Sequence, residues 1–299
     1  MKTIITGRRS FLKCAAAIAA GVVLSRHSVA TGSQSAPTGL LKACQFGMLG
    51  KDLPNTEKLS LAKRCGFQGV EPEMAQVPAD LDAARELGEQ ARQAGVPIHS
   101  VVYGGWDAPF SDSRPEVIDR GIAGMEKAMR SAKAMGADAV LLVPAVVQEM
   151  VGYADAYQRS QKNIRRLLPL AQELGVTIAV ENVWNKFLLS PIEFARYVDE
   201  FENPRLKAYF DIGNVILFGY AEDWIHTLGK RIVRIHLKDF KRDGYKWTNL
   251  MEGDVNWRLA RRALAEVGYA GYMTTELPGG DETYLKDLSA RIDKFIAMT

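Results

Sequence analysis

Between residues 42 and 276 the chain repeats one pattern eight times: a short apolar run, then a longer amphipathic stretch. The runs fall at 42–48, 68–71, 96–103, 137–143, 176–181, 206–211, 232–237 and 272–276. They are strand-length and apolar enough to be buried on both faces, which points to a parallel sheet. The stretches between them, such as 80–94, 116–135, 157–174 and 281–297, carry apolar residues three and four apart and read as helices. Gly66, Gly95, Gly136, Gly175 and Gly268 each precede a run, where a helix C-cap is expected. Eight βα units favour closure into one (β/α)8 TIM barrel, an α/β fold, over an open doubly wound sheet. The chain has no Gly-x-Gly-x-x-Gly or phosphate-loop lysine near its first run, which weakens the open alternative further. A single catalytic domain over 40–299 also matches the usual barrel size of about 250 residues.

The first thirty residues read as something else. Arg8-Arg9-Ser10-Phe11-Leu12-Lys13 precedes an apolar run from Ala15 to Leu24, and Ser28-Val29-Ala30 follows. The run is too short to span a bilayer, and the paired arginines resemble a twin-arginine export signal cleaved after Ala30. An uncleaved basic anchor is the alternative, because Arg26 and His27 make an unusual cleavage region. The expectation is a periplasmic or secreted protein with no stable membrane anchor, whose partner during export is the twin-arginine translocase. Residues 31–39 have the composition of a flexible linker.

Removing residues 1–30 takes away Lys2, Arg8, Arg9, Lys13 and Arg26 and no acid, so the formal charge falls from +3 to −2. A slightly acidic chain without basic runs offers no footprint for nucleic acid and suits a small, near-neutral substrate. Cys14 leaves with the signal; Cys44 and Cys65 lie in apolar stretches and read as buried thiols, with a disulfide between them left open.

Polar residues cluster where the later runs end. Residues 177–180 lead into Glu181-Asn182, 208–210 into Asp211-Ile212-Gly213-Asn214, and 273–275 into Glu276, while His236-Leu237-Lys238-Asp239 closes the seventh run. The carboxyl ends of barrel strands are where this fold builds active sites. Three converging carboxylates would repel one another unless a cation neutralised them. Together with one imidazole they make an oxygen-rich donor set for one divalent metal, Mn²⁺ first, with Mg²⁺, Co²⁺ or Zn²⁺ as alternatives.

The chain resembles the sugar phosphate isomerase/epimerase superfamily of xylose-isomerase-like barrels, whose metal is held by Glu, Asp, His and Glu from strands five to eight. Glu181, Asp211, His236 and Glu276 match that set one by one. Asp211-Ile-Gly-Asn214 and His236-Leu-Lys-Asp-Phe-Lys241 are most similar to the L-xylulose- and L-ribulose-5-phosphate 3-epimerases. Gly253-Asp-Val-Asn-Trp257 and Gly268-Tyr-Ala-Gly-Tyr272 resemble the superfamily's last βα unit. The resemblance implies that Glu181 and Glu276 stand on opposite faces of a bound sugar, one removing a proton and the other returning one through a cis-enediolate. Two departures matter. Asn214 stands where ketohexose 3-epimerases commonly carry His, and an export signal argues against a phosphorylated substrate.

Several further residues are substrate-contact candidates with structural alternatives. Glu71 ends the second run and reads as a substrate contact, a neighbour of the metal ligands or a salt bridge, with Glu73 close enough to be confused with it. His99 lies inside the third run, as a substrate contact or a buried histidine. Lys238 points the same way as His236 along a strand, to orient a substrate oxygen or pair with Glu276. Trp184 and Trp106 fall on loops where aromatic walls flank sugar rings or simply pack. Asn182, Asn185 and Asn214 are possible hydroxyl partners, while His226 and Trp257 read as structural. The expected activity is a metal-dependent epimerase or isomerase acting on an unphosphorylated ketose or keto-sugar. The rivals are a lyase or dehydratase using the same enolate chemistry on a keto-sugar, keto-glycoside or inosose, and a sugar-binding module without catalysis. The superfamily's three-zinc endonucleases need many histidines, whereas residues 31–299 hold only His99, His226 and His236. A homo-oligomer is compatible with everything above.

Overall fold

The eight runs become eight parallel strands in the computed structural model, which describes residues 39–299. The expected signal over 1–30 and the linker up to residue 38 lie outside the described residues. The barrel strands are β1 (Leu40–Gln45), β2 (Gly69–Glu71), β3 (Val101–Gly104), β4 (Ala139–Leu142), β5 (Thr177–Glu181), β6 (Leu206–Asp211), β7 (Ile232–Leu237) and β10 (Gly271–Thr275). Between the last two, β8 (Asp239–Lys241) and β9 (Lys246–Thr248) form a separate antiparallel hairpin. The barrel order is β2-β1-β10-β7-β6-β5-β4-β3, and isolated parallel bridges Val70–Ile98 and Glu73–Val102 join β2 to the β3 region across the seam.

Helices α1 (Asn55–Arg64), α2 (Leu81–Gln93), α3 (Pro115–Met135), α4 (Tyr153–Arg165), α5 (Leu168–Leu174), α6 (Pro191–Asp199), α7 (Ala221–Leu228), α8 (Trp257–Glu266) and α9 (Glu282–Ala297) connect the strands. Their starts follow local chemistry: Asp80 caps α2 and Asp281 caps α9 by accepting hydrogen bonds from backbone N–H groups of the first turn. Gly136 ends α3 at φ 84°, a left-handed conformation that a side chain would strain.

Three expectations need correction. The helix expected over 157–174 is two helices, because Pro169 has no N–H to give the carbonyl of Arg165 and its ring clashes there, so α4 stops and α5 begins anew. The run at 96–103 is strand only from Val101, since Pro97 cannot donate to a ladder. The first run starts and ends earlier than expected, and Phe46–Leu49 turns into a single 3-10 turn.

The strands divide the core in two. The large apolar cluster lies between strands and helices, with Phe210, Ile235, Phe194 and Leu285 among its fully buried members. Inside the barrel the apolar cluster is small, Leu141, Ala179 and Tyr209, with Val102 and Val233 against it. The rest of the interior is polar, and that is where the site is built. Cys44 and Cys65 are both buried and free, as the default reading expected.

Candidate active site

Side chains two apart on a strand share a face, so Tyr209 and Asp211 of β6 both enter the barrel, as do Arg234 and His236 of β7. Asp211 and His236 are register partners, and Glu276 follows β10 with its N–H donating to the Leu237 carbonyl. The ladder therefore brings Glu181, Asp211, His236 and Glu276 together, with one donor atom from each lying within 4.8 Å of the others. His236 is the hub. Its Nδ1 is 2.8 Å from Glu181 Oε1 and 2.9 Å from Glu276 Oε2, while its Nε2 is 2.7 Å from Glu71 Oε2.

The electrostatics follow from burying so many charges together. Burial pushes Glu181 up to about 7, helped by the Glu276 charge and opposed by His236. Burial acts the same way on Glu276, but the His236 and Lys238 cations outweigh it and hold that carboxyl well below its usual range. Asp211 is raised by burial and by Glu276, against Lys238. For His236, burial favours the neutral ring, yet the surrounding carboxylates raise it well above an ordinary imidazole.

Asp211 Oδ2 and Glu276 Oε2 are buried without a hydrogen-bond donor. Lys238 Nζ is at ion-pair distance from both, 3.3 and 2.6 Å. Two orphaned carboxylate oxygens facing an imidazole nitrogen are the donor set a divalent cation fits, with oxygen ligands in the majority. Among the described residues, this is the one group of acids, cysteines and histidines gathered closely enough to hold an ion.

Glu71 stands behind these four residues rather than in the cavity. It is fully buried; Oε2 accepts from His236, and Oε1 accepts from Tyr209 Oη at 2.6 Å and from Ser100 Oγ. A carboxylate that holds the far nitrogen of a ligand imidazole fixes its tautomer and orientation. His99 also lies away from the cavity lining. It is buried, stacked on Tyr272 at 4.2 Å, and bonded to Thr274 and Arg234, so it packs the lower barrel.

Lys238, Trp184 and Asn214 do line a cavity of about 520 Å³ above the ligands. Asn214 works mainly as a fastener: its Nδ2 donates to the Asn182 carbonyl, its N–H to Asp211 Oδ1, and its carbonyl accepts from Trp184 Nε1. Asn182 ties β5 to β6 in turn, its side chain exchanging two hydrogen bonds with the Asp211 backbone. Asn185 bonds the Ala145 carbonyl and is likewise structural. The Gly of Asp211-Ile-Gly-Asn is needed because a Cβ at Gly213 would lie 2.6 Å from Lys238 Cβ. His226 sits on α7 in an exposed contact with Glu266, and Trp257 opens α8 with its Nε1 donating to Asp239.

Some lining residues carried no assigned role in the sequence reading. Glu73, Tyr103, Asp107 and Trp247 face the cavity, and Asp239 anchors the hairpin by accepting from the N–H groups of Phe240, Gly253 and Val255. A signal for the hairpin was present: Asp243-Gly244 is a preferred turn pair.

Comparison with known proteins agrees with the barrel fold. Residues 59–294 match the family model described as xylose isomerase-like TIM barrel. The chain belongs to that family. Within the xylose isomerase-like barrels it is 26% identical over 251 residues to L-ribulose-5-phosphate 3-epimerase UlaE of Escherichia coli, covering 80% of this chain and 88% of the relative. A solved D-psicose 3-epimerase from Clostridium cellulolyticum superposes with a TM-score of 0.73 at 16% identity, over 86% of this chain and 99% of that one. An L-ribulose 3-epimerase gives 0.73 at 15% identity, over 86% and 94%. At that identity the structural likeness is one of fold.

Proposed function

We propose that this chain is a divalent-metal-dependent epimerase or isomerase acting on an unphosphorylated ketose or keto-sugar through a cis-enediolate. The observation that carries the reading is that Glu181 and Glu276, from strands separated by β6 and β7, converge on one imidazole nitrogen at the cavity floor. Glu181, Asp211, His236 Nδ1 and Glu276 would hold the metal, with Mn²⁺ favoured by the mixed oxygen and nitrogen donors. When bound, the metal polarises the substrate's carbonyl and stabilises negative charge on its oxygens. The chain's own groups do the rest. One glutamate takes the proton from the carbon beside the carbonyl, and the other delivers a proton to the opposite face, which inverts that centre. Glu71 keeps His236 turned so that Nδ1 faces the site, and Lys238 offers an ammonium to a substrate oxygen.

The charge of the cavity supports a substrate without phosphate. Among the described residues lining it, Lys238 is the one lysine or arginine, and it is already engaged by Asp211 and Glu276. Glu73 and Asp107 add negative charge, so a phosphate ester would meet repulsion without a free cation to pair with. Export by the twin-arginine route to the periplasm or beyond is part of the same proposal and rests on the residue 1–30 pattern. The test is to incubate metal-loaded protein with a panel of ketoses, keto-glycosides and their phosphate esters in deuterium oxide. Deuterium at an inverted carbon beside the carbonyl is expected. An unsaturated chromophore would mean elimination instead, and exchange only on phosphate esters would overturn the substrate class.

A further inference from the structure

The cavity is larger than the reaction needs. Its volume of about 520 Å³ equals that of roughly seventeen waters, more than one sugar ring displaces. Its lining also changes character with height. The floor is His236, Glu181, Glu276 and Lys238. Trp247 lies over that floor, its ring centroid 5.4 Å from Lys238 Nζ. It is held there by stacking on Trp184 at 4.8 Å, and Trp184 meets Phe240 edge-on at 5.3 Å. A ring seated on that floor would meet Trp247 beside Lys238.

Trp106 belongs to a different wall. It follows β3 after Gly104 and Gly105, whose φ values of 74° and 97° turn the chain sharply. A Cβ at Gly105 would press on Tyr103 and Leu142 at 3.2 and 3.3 Å, so the tight turn requires glycine. The turn leaves the Trp106 side chain on the cavity wall with half its surface, 50%, exposed. The exposed carboxylates of Asp107 and Glu73 line the same cavity. An open indole face beside exposed carboxylates matches the chemistry of a neutral sugar, whose C–H face stacks on an aromatic while its hydroxyls donate to carboxylates.

We propose that the Trp106 side of the cavity is a second-ring subsite, so that the preferred substrate is a keto-sugar carrying a glycosidic partner rather than a free ketose. Trp106 is the platform for the partner ring, and Asp107 and Glu73 accept from its hydroxyls. The inference rests on the sugar-epimerase reading above but is separable from it by experiment. For wild-type protein loaded with Mn²⁺, kcat/KM is measured on a 3-keto-disaccharide, the matching methyl 3-keto-glycoside and a free ketose. The disaccharide is expected to be preferred by tenfold or more. Trp106→Ala should lower kcat/KM on the disaccharide at least tenfold more than on the methyl glycoside, with Trp106→Phe restoring much of the difference. Equal losses on both substrates, or a wild-type preference for the free ketose, would overturn the subsite. Calorimetric titration with trehalose and with methyl glucoside, neither of which reacts, provides the second readout. Tighter binding of trehalose that Trp106→Ala removes supports the subsite even where no substrate is turned over, an outcome that would sink the epimerase reading alone. Equal, Trp106-independent binding of the two probes overturns the subsite whatever the activity.

Discussion

Replacing Glu71 separates two jobs that one buried carboxylate performs. In Glu71→Gln the side chain keeps its shape. One amide atom can still accept from His236 Nε2, and the other can face Tyr209 and Ser100, whose hydroxyls rotate to accept instead. The fold should lose only about 1 kcal/mol, the net worth of an exchanged hydrogen bond. The negative charge behind the imidazole disappears, however, and losing such an outer partner weakens metal binding by about 10- to 100-fold, or about 1.4 to 2.7 kcal/mol. Glu71→Leu removes every acceptor. Ser100 can turn to His99 Nδ1, 3.0 Å away, but the Tyr209 hydroxyl and His236 Nε2–H are left buried and unpaired, at about 1–3 kcal/mol each. Calorimetric titration of Mn²⁺ alongside thermal melts of the metal-free proteins measures both effects. A folded Glu71→Gln that binds Mn²⁺ within twofold of wild type would refute the claim that Glu71 orients and charges the ligand imidazole.

Further outcomes follow from the same geometry. His236→Ala should lose stoichiometric metal while the barrel stays folded, since its helices and strands still pack; full metal content by elemental analysis would be contrary. At least one of Glu181→Gln and Glu276→Gln should incorporate solvent deuterium into recovered substrate without forming product, because the remaining base serves one face only; near wild-type interconversion by both variants would send the search for the acid and base elsewhere. Metal affinity should rise with pH. In the metal-free protein His236 is held protonated and Glu181 is raised to about 7, so a cation must displace protons that are present at pH 6 and largely gone from Glu181 above pH 8. Titration in two buffers of different ionisation heat should report about one to two protons released, and pH-independent binding between 5.5 and 8 would contradict the assignment. Changing Arg8 and Arg9 to Lys should retain the precursor in the cytoplasm, read by fractionation; normal export would point to the general secretory route.

Much of this was legible in the sequence because a barrel strand is a short, local signal. The sixth and seventh runs coincide with β6 and β7, and Glu181, Asp211, His236 and Glu276 could be read as polar residues at or next to the ends of four successive runs. What stayed open in the sequence was decided by tertiary neighbours. Glu71 and Glu73 are two residues apart, yet one is sealed behind His236 and the other faces the cavity, because β2 ends between them and the chain turns. His99 was open between a substrate contact and a buried histidine, because the partners that settle its place, Thr274, Arg234 and Tyr272, come from strands more than a hundred residues later. Asp239 reads as part of a motif, and only the fold shows that its partners are the backbone of 253–255 and the Trp257 indole.

The register of Asp211 against His236 has a consequence for redesign. Because these two side chains are spaced by a hydrogen-bonded rung rather than by a loop, the proposed centre depends on the sheet, and the neighbourhood around it does not. Adding one residue within β6 would turn Asp211 to the helix side and erase the centre. Adding several after β3 or within the β8–β9 hairpin would leave the cage intact and reshape only what surrounds the sugar. The proposed reaction and its choice of substrate thus sit on separable parts of the chain, and a designer can graft new walls onto it while leaving the rungs alone.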